Sequence, residues 1–132
     1  MTELTEAILT VVENPTVDSF NKLINVLDDL CDENAILPVP GYYLGKEKGF
    51  TFAEVQAEGK VFLTILSEKE YFGQSAGPTT LLGMGIKMFL ANYFSAKRFD
   101  GIIFNPDTSA ELVITNQALE LLKFSDEFNE KK

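Results

Sequence analysis

The sequence contains no histidine and no tryptophan, and Cys31 is its single cysteine. Without histidine, the usual serine and cysteine triads lack their general base, so nucleophilic catalysis of that kind is excluded. A zinc site built from histidine and cysteine is excluded for the same reason. The lone thiol cannot form an internal disulfide, which favours a reducing, cytoplasmic location. We therefore expect no cofactor, and a function that depends on recognition rather than on catalysis.

Basic residues are scarce as well: 11 lysines and arginines stand against 20 acids, which gives a net charge of −9. Such a surface repels phosphate backbones and anionic lipids, so nucleic acids and membrane surfaces are poor partners. Residues 1–6 are acidic and do not resemble a signal peptide. The longest apolar stretch runs from Leu81 to Phe94, which is shorter than the roughly 20 residues that a membrane-spanning helix needs.

Large apolar side chains are plentiful. The chain has 132 residues, of which 45% are hydrophobic, and it includes 11 phenylalanines and 4 tyrosines. This length and composition are typical of one globular domain with one core. We predict a single domain over residues 1–124, followed by a polar and frayed tail at residues 125–132.

Helical spacing of apolar residues is clearest in the first third of the chain. Residues 4–12 carry an apolar face, and either Asn14 or Thr16 is expected to cap the helix that follows. That second helix has one apolar stripe, on which Cys31 is predicted to be a packed and unreactive thiol. The stripe consists of Phe20, Leu23, Ile24, Leu27, Leu30 and Cys31.

The middle of the chain has the composition of strands. Residues 35–40 include two prolines, which lack a ladder donor, so they are predicted to form an edge strand or an extended segment. Residues 50–57 and 61–66 are predicted to form a hairpin, and residues 102–104 a second buried strand. Residues 111–114 are a candidate for a further short strand.

Two more helices complete the prediction. Pro78 and Thr79 are expected to open a largely buried helix that continues to about Ala96, and Thr115 is expected to cap the last helix. The order is therefore α-α-β-β-β-α-β-(β)-α, which predicts an α/β or α+β fold in which helices pack on a mixed β-sheet.

Acidic residues concentrate in the second helix. Asp28, Asp29, Asp32 and Glu33 lie opposite or beside its apolar stripe. Their spacing spreads the carboxylates over more than one helix face and matches no calcium loop, which disfavours a calcium site. Two interpretations stay open: a solvated face that keeps the protein soluble, or a docking face for a basic partner.

Loops supply the remaining candidates. Asn105 and Asp107 follow the second buried strand, where a loop edge could contact a partner. The loop at residues 73–78 precedes a predicted helix and could bind an anion, but it lacks the lysine of a phosphate-binding loop, which favours a connector. Acid pairs such as Glu68 with Glu70, or Asp100 with Asp107, are compatible with acid–base chemistry, although nothing singles them out.

Several short segments of the sequence resemble the N-terminal domain of the SseB family, the enhanced serine sensitivity proteins of bacteria. Residues 21–27 are similar to its opening amphipathic helix, and residues 35–40 resemble its next strand. Residues 61–70 resemble its buried strand and turn, residues 101–106 its later strand ending in Asn-Pro, and residues 119–122 its following helix.

The resemblance implies an α/β domain without established enzymatic activity, whose members look like binding or regulatory proteins. It carries over no catalytic residue. Ile65-Leu66-Ser67 departs from the Phe-Thr-Ser of the family turn, so the match there is partial.

Three functional hypotheses follow. The preferred one is a non-enzymatic protein-interaction module that uses the acidic helical face or the loop edge near Asn105 and Asp107. The second is an immunity or antitoxin-like protein that covers a basic toxin. The third is a small-ligand binder, or an enzyme built from carboxylates, beside the loop at residues 73–78.

Overall fold

Two helices open the chain, and two more lie in its second half. The computed structural model describes residues 1–73, 78 and 80–128. The α-helices are α1 (Glu3–Glu13), α2 (Val17–Glu33), α3 (Ile86–Ala96) and α4 (Asn116–Leu119). Two 3-10 helices span Lys69–Tyr71 and Lys123–Phe128.

Side-chain caps fix where the first two helices begin. The Thr2 hydroxyl accepts a hydrogen bond from the Thr5 amide at the start of α1. At the start of α2, Thr16 and Ser19 cap each other's backbone N–H in a reciprocal capping box, which decides between the two predicted caps in favour of Thr16. Asn34 ends α2 in the left-handed conformation with a φ of 49°.

The predicted apolar stripe of α2 is confirmed, because four of its six residues are buried and the other two are partly buried against the core. Helix α1 contributes Leu4, Ala7, Ile8 and Val11 to the same core. The two helices therefore pack on each other through one continuous apolar seam, and they turn their charged faces outward.

The seven strands form two sheets. They are β1 (Ile36–Tyr43), β2 (Phe50–Phe52), β3 (Glu54–Ala57), β4 (Lys60–Ile65), β5 (Thr80–Gly85), β6 (Gly101–Phe104) and β7 (Leu112–Thr115). One sheet has the order β2-β1-β5, and the other has the order β3-β4-β6-β7. Only β4 and β6 pair in parallel among the described strands. The protein is an α+β fold, as predicted. The predicted hairpin is confirmed for β3 with β4, but residues 50–57 are not one strand, because Phe50–Phe52 pairs with β1 in the other sheet.

Strand β1 is central to its sheet rather than an edge, which corrects the prediction for residues 35–40. Pro38 and Pro40 are accommodated because their carbonyls accept hydrogen bonds from the Leu66 and Ala53 amides, at 2.9 and 3.1 Å. The nitrogen and carbonyl of a strand residue point to the same side, so both prolines turn their missing donor away from β5. These two bonds also join β1 to the second sheet.

The core lies between the second sheet and the helices. Strands β4 and β6 turn Ile65, Ile102 and Phe104 toward side chains of α2, α3 and α4, and these contacts bury all three. The facing residues are Leu27, Ile86, Phe89, Leu90 and Leu119 of the helices, and Leu122, which follows α4.

The helix predicted from Pro78 and Thr79 to Ala96 is wrong in its first half. Thr80–Gly85 is strand β5, and the helix begins only at Ile86. Pairing with β1 determines the conformation of this segment, because the pairing gives hydrogen-bond partners to its backbone. The helical alternative is weak, because Gly83 and Gly85 have a low helix propensity.

The frayed tail predicted from Ser125 is also wrong as far as Phe128. Ser125 is buried, and the ring of Phe128 stacks on Phe94 at a centroid distance of 5.6 Å. Residues 129–132 of the predicted tail lie outside the described residues. Among the residues that are described, no helix has the length and apolar character needed to cross a membrane.

Candidate protein-interaction site

Asp28 does not belong to the solvated face of α2. Its carboxylate is buried, and its Oδ1 accepts a hydrogen bond of 2.9 Å from the Lys123 amide. This bond caps the C-terminal 3-10 helix and ties it to α2 across 95 positions of sequence. Asp28 is therefore a structural residue rather than a docking residue.

Asp29, Asp32 and Glu33 are exposed on α2, as the docking hypothesis requires. Asp32 borders a groove that also contains Lys87 and Lys123, so its charge lies among cations of the same molecule. Of the four predicted acidic residues, three stay available to a partner at the C-terminal half of α2.

Asn105 is completely buried and has a φ of 52°. Its Oδ1 accepts from the Ser67 amide at 2.9 Å, and its Nδ2 donates to the Ser67 hydroxyl and to the Ala110 carbonyl. These bonds hold the loop after β6 against the end of β4. The predicted docking role of Asn105 is therefore replaced by a structural one.

Asp107 is exposed in the same loop, and its amide donates to the Glu111 carboxylate at 2.6 Å. The contacts of this loop involve the ends of β4 and β7, whereas those of the acidic α2 residues involve the C-terminal 3-10 helix and α3. The structure thus supports two separate surfaces rather than one combined site.

A buried polar chain extends from Asn105 to helix α1. The hydroxyls of Ser67 and Thr5 are 2.7 Å apart, and both residues are buried. Ser67 does not cap the 3-10 helix that follows, because Glu68 occupies the cap position of that helix, without a side-chain bond. No sequence signal pointed to this network, because its partners are 38 and 62 positions apart.

The carboxylates of Glu68 and Asp100, two of the four predicted acid–base residues, accept hydrogen bonds from backbone amides. Glu68 accepts from the Thr2 amide at 2.7 Å, and this hydrogen bond holds the pKa of Glu68 below its ordinary value. A general acid needs a raised pKa, which is the opposite direction. Asp100 accepts from the Val61 amide at 2.9 Å, which fixes the start of β6.

Burial makes Cys31 a poor nucleophile. Desolvation, followed by the charges of Asp28 and Asp32, raises the pKa of the thiol from 9.0 to about 11. The predicted packed thiol is confirmed, since Cys31 is only 4% exposed.

Strand β5 presents an open edge that sequence reasoning missed. Within the described residues β5 ends its sheet, because β1 is its one neighbour. Leu37 and Val39 of β1 lie opposite Met84 and Leu82. Because the carbonyls of Pro38 and Pro40 point away from β5, the alternate residues 37 and 39 form the ladder bonds.

It follows that the backbone N–H groups of residues 80, 82 and 84 point toward β1. Those of residues 81, 83 and 85 point toward the open edge. The bond of 2.8 Å from the Ile86 amide to the Ala35 carbonyl fits this alternation. Three N–H donors, those of Leu81, Gly83 and Gly85, and two carbonyl acceptors, those of Leu81 and Gly83, therefore face outward. The carbonyl of Gly85, which is the N-cap residue of α3, accepts the first hydrogen bond of that helix.

The ribbon of β1 and β5 also has an apolar outer face. Ile36, Pro38, Leu81 and Gly83 lie on the same face by register and border a shallow, open cavity of about 360 Å³ together with Leu37 and Lys69. Ile36 is 67% exposed and Leu82, on the opposite face, is 38% exposed. The edge and this face form one continuous surface, which we call the β5 surface.

The acidic end of α2 adjoins the β5 surface. Asn34 follows Asp32 and Glu33, and its Oδ1 accepts from the Lys87 amide at 3.3 Å, which supplies a cap for α3. A Cβ placed on Gly85 would lie 2.8 Å from that same oxygen, so a larger residue there would displace the Asn34 side chain. The last turn of α2 and the end of β5 are thereby in direct contact.

Within the described part of the chain, no group of acidic residues and cysteine is arranged to hold a metal ion. The loop at residues 73–78, predicted to be a connector or an anion site, lies mostly outside the described residues. No family model matches the chain, and comparisons with curated proteins and with solved structures found no match.

Proposed function

We propose that the protein is a non-enzymatic interaction module that binds an extended segment of a basic protein partner by adding it as a strand beside β5. The observation that supports this proposal is that the backbone N–H groups of Leu81, Gly83 and Gly85 point outward from the last strand of a sheet.

Exposed edge strands are usually guarded. Natural proteins protect them with lysine, proline, bulges or very short strands, because an open ladder recruits other chains. Strand β5 has six residues, carries no charge and contains no proline. An added strand would satisfy the outward backbone groups, and its alternate side chains would contact the apolar face around Ile36 and Leu81.

Charge favours a basic partner over a second copy of the chain. Each copy has a net charge of −9, so two copies repel at long range, whereas a basic segment is attracted. The exposed Glu33 precedes Asn34, whose side chain lies at the C-terminal end of β5, and would receive cationic side chains of the segment, whereas the charge of Asp32 lies among Lys87 and Lys123. Lys69 borders the apolar face together with Ile36 and Pro38.

A binding role is also what the resemblance to the SseB family implies, and membership of that family and a cytoplasmic location are part of the proposal. The immunity-protein alternative is the special case in which the basic partner is a toxin.

The test is a selection from a displayed library of random twelve-residue peptides against the full chain. We expect the enriched peptides to carry net positive charge, to contain alternating apolar residues and to lack internal proline. Affinity of a chosen peptide is then measured for two variants. Gly83→Pro removes an outward N–H, and Gly83→Ala keeps it while adding a methyl group near Ile36.

Gly83→Pro should weaken binding at least tenfold, and Gly83→Ala should change it less than threefold, with circular dichroism checking that both fold. If no peptide is enriched, or if the selected peptides bind Gly83→Pro as well as the original chain, the β5 surface is not the binding site. Enrichment of acidic peptides would contradict the assigned partner charge.

A further inference from the structure

Gly83 leaves a gap in the apolar face of the β5 surface. The backbone does not require glycine at this position, because the φ of Gly83 is negative. Beyond its chain neighbours, a Cβ at this position would meet Ile36 Cγ2 at 3.2 Å and no other described atom within 4 Å. Glycine weakens the interior of a strand, and it often marks a place where a ligand or another chain approaches closely. Gly83 lies on the unpaired edge, which is such a place in the proposed complex.

The shallow cavity of about 360 Å³ on the β5 surface opens over this gap. Its walls are apolar, because Pro38 lies opposite Gly83 in β1, with Ile36 beside it, and Leu81 lies two positions earlier in β5. Lys69, which is exposed, is the one charged residue among the described residues that border the cavity. The cavity is therefore an apolar cleft with a positive charge at its margin.

A strand added beside β5 directs one of its side chains into this cavity. Register partners on neighbouring strands turn their side chains to the same face, so the segment residue opposite Gly83 points to the outer face in either strand direction. The segment residues two positions away lie opposite Leu81 and Gly85. Leu81 carries its own side chain, and Asn34 Oδ1 would lie 2.8 Å from a Cβ on Gly85. Of these three positions, the one opposite Gly83 has the most room.

We infer that the segment bound at β5 carries an aromatic residue opposite Gly83, an inference that rests on the proposed function. A flat ring covers the exposed backbone of the glycine and contacts Ile36 and Pro38 at the same time, as aromatic side chains do beside glycine in neighbouring strands. Lys69 at the margin adds cation–π attraction, which favours an aromatic side chain over an aliphatic one of equal size. The β5 surface thus recognises one aromatic side chain in addition to the positive charge of the segment.

The peptides enriched by selection on the full chain provide the first test, because they should share one phenylalanine, tyrosine or tryptophan when they are aligned. One enriched peptide is then synthesised with phenylalanine, cyclohexylalanine or alanine at the shared position. Alanine should weaken binding at least about tenfold, because the buried ring is lost. Cyclohexylalanine keeps the volume but has no π face, so it should weaken binding about threefold.

Lys69→Met tests the contribution of the charge, because it removes the cation and keeps an apolar side chain of similar length. In this variant the phenylalanine and cyclohexylalanine peptides should bind with equal affinity. Lys60→Met changes an exposed lysine at the start of β4, in the other sheet, and is the matched control. It should keep the difference of about threefold between the two peptides.

The outcomes separate this inference from the proposed function. If a peptide protects the outward amides of β5 from exchange, but alanine at the shared position changes its affinity less than about twofold, strand addition holds and the aromatic specificity is wrong. Enriched peptides that share no aromatic residue, or a difference between phenylalanine and cyclohexylalanine that persists in Lys69→Met, would overturn the inference in the same way. If no peptide is enriched, the proposed function and this inference both fail.

Discussion

Replacing Asn105 with alanine tests the role that the structure gives this residue. The side chain makes three buried hydrogen bonds, two with Ser67 and one with the Ala110 carbonyl. Alanine would leave the Ser67 amide and the Ala110 carbonyl buried without those partners. Each unsatisfied group costs about 1–3 kcal/mol.

A second cost comes from the backbone. Asn105 has a φ of 52°, and a left-handed conformation costs alanine about 1 kcal/mol more than it costs asparagine. The sum for Asn105→Ala is a loss of about 4 kcal/mol, out of the roughly 5–15 kcal/mol that stabilise a domain. Asn105→Gly removes the same hydrogen bonds but tolerates the positive φ, so it should be about 1 kcal/mol more stable than Asn105→Ala.

Urea unfolding followed by circular dichroism measures these differences. With a slope of about 2 kcal/mol per molar urea, Asn105→Ala should lower the midpoint by about 2 M. Asn25→Ala, on the exposed face of α2, is the matched control and should change stability by no more than about 0.5 kcal/mol. A loss below about 1 kcal/mol for Asn105→Ala would refute the assignment of Asn105 as a buried structural residue.

Three further predictions concern the fold. Gly41→Ala should destabilise by about 2–4 kcal/mol in the same urea assay, because its Cβ would lie 2.2 Å from the Thr51 carbonyl oxygen; an unchanged midpoint contradicts this. The Cys31 thiol should react with a disulfide reagent only on unfolding at pH 8. Because the folded pKa of Cys31 is raised to about 11, its contribution to stability should be complete below pH 9.0 and be lost from there to pH 11. The fall in stability over that range should be smaller in Cys31→Ala, where only groups such as Tyr93, whose pKa is also raised, still contribute to it. Thr16→Ala should cost about 1 kcal/mol, and Thr16→Ser should restore most of it.

The first third of the fold could be predicted from sequence because its signals are local. Helix α2 repeats apolar residues at helical spacing, and Thr16 with Ser19 supplies a start signal within four residues. The β3–β4 hairpin was predictable for the same reason, since its strands meet through a tight turn at Glu58 and Gly59.

Strand β5 was not predictable from its own residues. Leucine, methionine and glycine in Thr80–Gly85 show no alternation of polar and apolar positions, and the partner strand lies some 40 positions earlier. Tertiary pairing therefore overrode a helical pattern that continues correctly from Ile86.

Two candidate residues changed role for a similar reason. Asp28 looked like one of a row of solvated acids, but its partner is the Lys123 amide, 95 positions away. Asn105 lies in a loop, where polar residues usually face solvent, yet its positive φ directs the amide into the interior. Neither of these long-range contacts could be predicted, because neither produces a pattern in the local sequence.

The open edge of β5 can be tested directly by residue-resolved amide hydrogen exchange, measured by NMR on the chain alone and with a selected basic peptide. Without peptide, the amides of Leu81, Gly83 and Gly85 should exchange fast, and those of Leu82 and Met84 slowly. With peptide, the three outward amides should become protected. Outward amides that are already protected in the chain alone, or that stay fast when peptide is bound, would contradict strand addition at β5.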